Sequence, residues 1–149
     1  MKKLLVLAVT LVAAAGISVA IATASPSTSR GGDLHVTKAC GDIPPGNILF
    51  CTITGSNLKL IKAGSRVIYF QDPGANTLDS DIALVVGPGS YALGHVVLDL
   101  GTGQGVVTLS GGAGPFASFH AKVRVTPPGY GDNGADWAWD GWYSFGGHD

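Results

Sequence analysis

The chain has 149 residues, with nine Lys or Arg set against ten acidic residues, all of them Asp. A formal net charge of −1 and the lack of any basic cluster exclude an electrostatic footprint for nucleic acid. Few Lys and no Glu, beside 23 Gly and many Val, Leu and aromatic residues, argue against long helices and for strands joined by tight turns.

The chain opens Met1-Lys2-Lys3, runs apolar from Leu4 to Ala22, and reaches the small-residue exit Ala22-Thr23-Ala24 before Ser25. A basic start, an apolar middle and an A-x-A exit describe a secretory signal peptide over residues 1–24. The apolar run is long for that role, which leaves an N-terminal membrane anchor as the alternative. Thr10, Gly16 and Ser18 interrupt the run and favour cleavage, so the expectation is a secreted protein with no stable membrane insertion afterwards. Cleavage would leave 125 residues and a net charge of −3, since Lys2 and Lys3 depart. That length suffices for one domain with a real core and is too short for two.

Residues 25–33 (SPSTSRGGD) are rich in Ser, Gly and Pro and read as a flexible leader, leaving 34–149 as the folded domain. Cys40 and Cys51 are the only cysteines, and in an oxidising compartment they are expected to form one disulfide. The turn former Pro44-Pro45-Gly46-Asn47 lies between them and lets the chain double back. The spacing is not the C-x-x-C of a redox pair.

Short apolar runs then alternate with turn signals. Strands are predicted over 47–54, 66–70, 82–86, 94–100, 105–110, 119–126 and 137–145, with a helical turn over 56–62. The turns between them include Asp72-Pro73-Gly74, Gly87-Pro88-Gly89 and Gly101-Thr102-Gly103. Strands this short and this regularly punctuated indicate an all-β sandwich or barrel. In 119–126, Phe119, Ala121, Val123 and Val125 share one face and His120, Lys122, Arg124 and Thr126 the other. In 137–145, Trp137, Trp139, Gly141, Tyr143 and Phe145 share a face, and Gly141 suggests a bend or bulge.

The glycine cluster Gly111-Gly112-Ala113-Gly114-Pro115 fits neither a P-loop nor a dinucleotide-binding loop. Pro115 followed by a period-two strand excludes the helix whose N-terminus would hold phosphate. The glycines therefore supply positive φ in a connection between adjacent strands.

His95 and Asp99 would lie on one strand face with Val97 between them. Inside a barrel they could act as a hydrogen-bonded acid–base pair; outside they would be solvated. Val96, Leu98 and Leu100 form the more apolar face, which favours the outward placement. No G-x-S-x-G elbow is present. His35, His95, His120 and His148 lack zinc spacing, while Asp132-Asn133-Gly134-Ala135-Asp136 lacks the ligand ladder and closing Glu of a calcium loop. Asp79-Ser80-Asp81 is no better as a ligand set. No metal and no cofactor are expected.

Ser110-Gly111-Gly112-Ala113-Gly114-Pro115-Phe116, followed by Phe119-His120-Ala121, resembles the glycine-turn signature of the allene oxide cyclase and dirigent barrel superfamily. The ending WAWDGWYSF looks like the closing strand of small exported bacterial relatives, and CTITGSNLKLIKAGSRVIYF like their opening strands. The resemblance implies an eight-stranded antiparallel barrel with an apolar interior that works without metal or cofactor, and it allows a homo-oligomer. It also implies an apolar, reactive molecule steered through cyclisation or coupling. Plant allene oxide cyclases are thought to use a pocket glutamate, which this chain lacks, so the implied fold carries over and the activity does not.

Three functions are therefore carried forward. The first is a non-catalytic binder of a small apolar molecule, with Trp137, Trp139, Tyr143 and Phe119 lining the pocket. The second is a cofactorless cyclase or isomerase using the same pocket, with His95 and Asp99 as its only polar candidates. The third is a carbohydrate-binding or structural surface protein, with the tryptophans stacked on sugar rings. Large aromatics in a protein with few charges more naturally fill a core or line a pocket.

Overall fold

Period-two alternation dictates the architecture. In the computed structural model, residues 30–41, 48–129 and 136–146 are described. They form eight strands: β1 (Arg30–Ala39), β2 (Phe50–Ser56), β3 (Arg66–Tyr69), β4 (Thr77–Gly87), β5 (Ser90–Asp99), β6 (Gln104–Ala113), β7 (Phe119–Thr126) and β8 (Trp137–Phe145). Each pairs antiparallel with the next, and β8 returns to pair with β1, closing the barrel in sequence order. The closing seam runs from Arg30 opposite Phe145 to Lys38 opposite Trp137. Closure gives every strand a partner on both sides and so removes the free edge strand that is the usual liability of a small sheet.

One face of every strand fills the barrel. Leu34 and Val36, Ile53, Val67, Ile82 and Leu84, Val96, Val107 and Leu109, Val123, and Trp139 are all buried. Toward the end where β8 finishes the bulk is aromatic: Phe119 meets Phe116 edge-on at 5.2 Å and Phe145 at 5.1 Å between ring centroids. Buried side chains from all eight strands fill the interior and leave a recess at each end, as eight strands allow.

The chain enters the barrel earlier than the leader reading expects. Arg30, Gly31, Gly32 and Asp33, assigned to the flexible leader, pair with Phe145, Ser144, Tyr143 and Trp142. A Cβ on Gly31 would come within 2.8 Å of the Tyr143 carbonyl oxygen, so glycine here permits close strand approach. β4 likewise begins at Thr77 rather than at Ile82, and Asp79-Ser80-Asp81 is strand, not turn. Ser80 makes this tolerable: its buried hydroxyl accepts the Phe70 and Gln71 N–H groups and donates to the Asp81 carbonyl. Residues 57–61 form an irregular turn in which the Ile61 N–H donates to the Leu58 carbonyl at 2.9 Å.

The glycine cluster joins β6 to β7 through a single 3-10 turn, Gly114–Phe116, with positive φ at Gly111, Gly112 and Gly114. A Cβ on Gly112 would overlap the Tyr91 carbonyl oxygen at 2.0 Å. Gly141 carries no bulge, because β8 pairs without a register shift on both sides. It is needed instead because a Cβ there would lie 2.1 Å from the Lys122 carbonyl oxygen. Register shifts occur elsewhere, one of them between Thr37 and Lys38 on β1. Residues 1–24 lie outside the described residues, among which no helix is long and apolar enough to cross a membrane.

Candidate functional site

The residues expected to share one pocket are divided along the barrel axis. Trp139 and Phe119 are wholly buried, Phe119 beside Phe145 and Trp139 with its ring against Lys38. Tyr143 lies toward the end where β8 finishes, lining a recess of about 590 Å³ with Arg30, Leu58, Leu60, Pro115 and Phe145. Trp137 lies at the opposite end, on a smaller cavity of about 180 Å³. A continuous row of tryptophans facing water does not exist, since Trp139 is sealed; the exposed indole is Trp142, on the outer face.

His95 and Asp99 do not meet. Both are on the outer surface, as the more apolar opposite face requires. The His95 ring bridges Asp79 at 2.9 Å and Asp81 at 3.0 Å, and the Asp81 hydrogen bond leads in raising its pKa. Asp99 accepts the Thr102 backbone N–H at 2.8 Å, which lowers its pKa and ties the β5–β6 turn. Exposed groups paired in this way hold strands and turns in place, and the barrel interior owes them nothing.

The smaller cavity holds the unusual chemistry. Among the described residues its walls are Leu49, Leu78, Leu98, Leu100, Pro73 and Trp137, with Lys38, Tyr69 and the Cys40–Cys51 disulfide. Lys38 follows Leu34 and Val36 on the inward face of β1, so its amine ends inside the barrel and only 3% of the residue is exposed. Its Nζ donates to the Tyr69 hydroxyl at 2.9 Å and approaches Cys40 Sγ and Cys51 Sγ at 3.6 Å each. The Tyr69 O–H can in turn donate to Cys51 Sγ at 3.6 Å, since a disulfide sulfur only accepts. The rings of Tyr69, Trp137 and Trp139 stand 5.6, 5.5 and 5.4 Å from Nζ.

Among the described residues no carboxylate pairs with Lys38. Removing an ammonium from water without a counter-charge favours the neutral amine, and burial lowers the Lys38 pKa from 10.5 to about 7. The three ring faces act the other way, stabilising the cation. Burial pushes the Tyr69 phenol well above its ordinary value, so it stays protonated.

No family model, curated protein or solved structure matches this chain. The reading of the site rests on the residues themselves. The larger recess carries aromatic rings and Arg30 but no buried ionisable group, whereas the smaller cavity joins an apolar wall to a buried amine and phenol. Perturbed groups of that kind in a concavity are a recognised mark of function.

Sequence reasoning had named Trp137 and both cysteines but missed Lys38 and Tyr69. A signal was present. Leu34, Val36 and Lys38 share one face of an alternating run, and a lysine on the dry face of a strand is a local inconsistency of the kind that marks a functional position.

Proposed function

We propose that the protein is an exported binder of a small apolar molecule, held in the cavity at the Lys38 end of the barrel. The observation that carries the reading is an almost wholly apolar concavity that nonetheless encloses one amine and one phenol. Leu49, Leu78, Leu98 and Trp137 would supply affinity by releasing water, and the two polar groups would fix orientation. The eight-stranded closed barrel agrees with the allene-oxide-cyclase-like resemblance, which remains part of this proposal. Any chemistry at this end would belong to Lys38 and Tyr69, since His95 and Asp99 are on the other side of the wall. Export is supported by the leading apolar run and by a disulfide, which persists in oxidising compartments.

The test is a fluorescent apolar probe titrated against the secreted protein, with tryptophan emission as a second readout. Saturable binding is expected, and Leu98→Trp, which fills the cavity, should abolish it while leaving the β-type circular dichroism intact. Binding that persists undiminished in a folded Leu98→Trp variant would place the ligand elsewhere.

A further inference from the structure

We propose that Lys38 is a carbonyl-capture site: its amine condenses reversibly with an apolar aldehyde or ketone seated in the cavity, forming an imine, with Tyr69 as the proton donor. The inference rests on the binding reading above and adds the chemical class of the ligand.

The geometry favours a carbonyl over the obvious alternative, a carboxylate paired with the ammonium. A carboxylate would bring a second charge against Leu, Pro and Trp side chains, with Lys38, the Tyr69 hydroxyl and the Trp137 indole N–H as the donors among the described lining side chains and Lys38 as the one cation. Desolvating it there is costly and only partly compensated. A carbonyl compound arrives neutral, matches the wall, and leaves as a neutral imine plus water. The amine is suited to the task, because burial leaves a large fraction of it unprotonated near neutral pH and a free lone pair is what attacks carbon. The register shift at Thr37/Lys38 lies where β1 delivers this side chain, as bulges beside reactive groups often do.

The steps balance without oxidant or cofactor. The Nζ lone pair bonds to the carbonyl carbon while the C=O π pair moves onto oxygen, and that oxygen takes up a proton shed by nitrogen. The Tyr69 hydroxyl, 2.9 Å from Nζ, is adjacent to the carbinolamine and lends its proton to the new hydroxyl. The C–O bond breaks and water departs. The nitrogen pair forms the C=N bond, and the last N–H proton returns to the Tyr69 oxygen. One C=O and two N–H bonds are exchanged for one C=N and one water.

Hexanal with borohydride trapping, followed by peptide mapping, tests this on the secreted protein. The expected result is a hexyl adduct on Lys38 formed on the order of 100-fold faster than on the exposed Lys59, Lys62 or Lys122, because burial favours the neutral amine at Lys38. Lys38→Met should lose the adduct, and Tyr69→Phe should slow its formation with hexanal while leaving 1-hexanol binding in place. The alcohol, which cannot form an imine, reports on the cavity alone. If 1-hexanol binds but Lys38 is labelled no faster than surface lysines, the capture proposal fails and the binding reading stands. Hexanoate binding far more tightly than hexanal, without trapping, would equally overturn it in favour of an ion pair. If neither alcohol nor aldehyde binds, both readings fall.

Discussion

Replacing Lys38 with Met should stabilise the protein at mildly acidic pH and do almost nothing at alkaline pH. Folding places Lys38 where its pKa is about 7, whereas in the unfolded chain it returns to 10.5. Between those values the unfolded state binds one more proton than the folded state, so stability rises with pH across that window. Below about pH 7 both states carry the proton and the full penalty is in force, about 5 kcal/mol at 1.36 kcal/mol per tenfold. Moving from about pH 6 to about pH 9.5 should therefore return up to about 3 kcal/mol, which attraction to the three ring faces draws down toward about 2 kcal/mol. Above about pH 10 the trend reverses, because unfolded tyrosine ionises there while buried Tyr69 keeps its proton.

Lys38→Met removes the buried charge but leaves the Tyr69 hydroxyl with only Cys51 Sγ for company, a loss of about 1–3 kcal/mol. The net gain at about pH 6 is then about 2–3 kcal/mol, shrinking to near zero at about pH 9.5. Urea unfolding of both proteins at the two pH values measures the difference, and the titration of exposed His95 cancels because both share it. A wild-type stability that does not rise relative to the variant over this interval would refute the claim that Lys38 is buried with a lowered pKa.

The other expectations are simpler. Trp139→Ala should cost about 3–5 kcal/mol in urea unfolding, because the residue is wholly buried; half-buried Trp137→Ala should cost less and weaken probe binding more. Removing the Cys40–Cys51 bridge, which closes a short loop of sequence separation 11, should cost about 3 kcal/mol and loosen the wall against which Lys38 packs. Thiol labelling of the denatured, unreduced protein should find neither cysteine free. His95→Ala and Asp99→Asn should leave probe binding unchanged, since both are on the outer face, and a large loss in a folded variant would return them to candidacy.

Most of the fold was legible because strands with one dry face announce themselves. Phe119, Ala121, Val123 and Val125 give β7 without ambiguity, and the Trp137–Phe145 row gives β8. The elements that escaped are those in which a polar residue takes an inward position. Ser80 breaks the apolar rhythm of β4 because its hydroxyl, not its hydrophobicity, satisfies the neighbouring backbone. Lys38 breaks that of β1, whose Gly31-Gly32 start also mimics a linker. The candidate site was legible only in part for the same reason. Aromatic residues can be assigned to the interior from alternation, but alternation does not reveal that Trp139 is sealed against Lys38 while Trp137 and Tyr143 face opposite ends. That Lys38, Tyr69 and the disulfide converge is a consequence of register: Lys38 lies opposite Ile53, Cys51 opposite Val67, and Tyr69 opposite Ile82.

The central claim is that ligand enters the Lys38 end of the barrel, and chemical-shift mapping with 1-hexanol on isotopically labelled protein tests it most directly. Saturable shifts should concentrate on Lys38, Leu49, Tyr69, Leu78, Leu98 and Trp137. Shifts confined to Leu58, Leu60, Tyr143 and Phe145 at the other end, or scattered over the outer face without saturation, would contradict it.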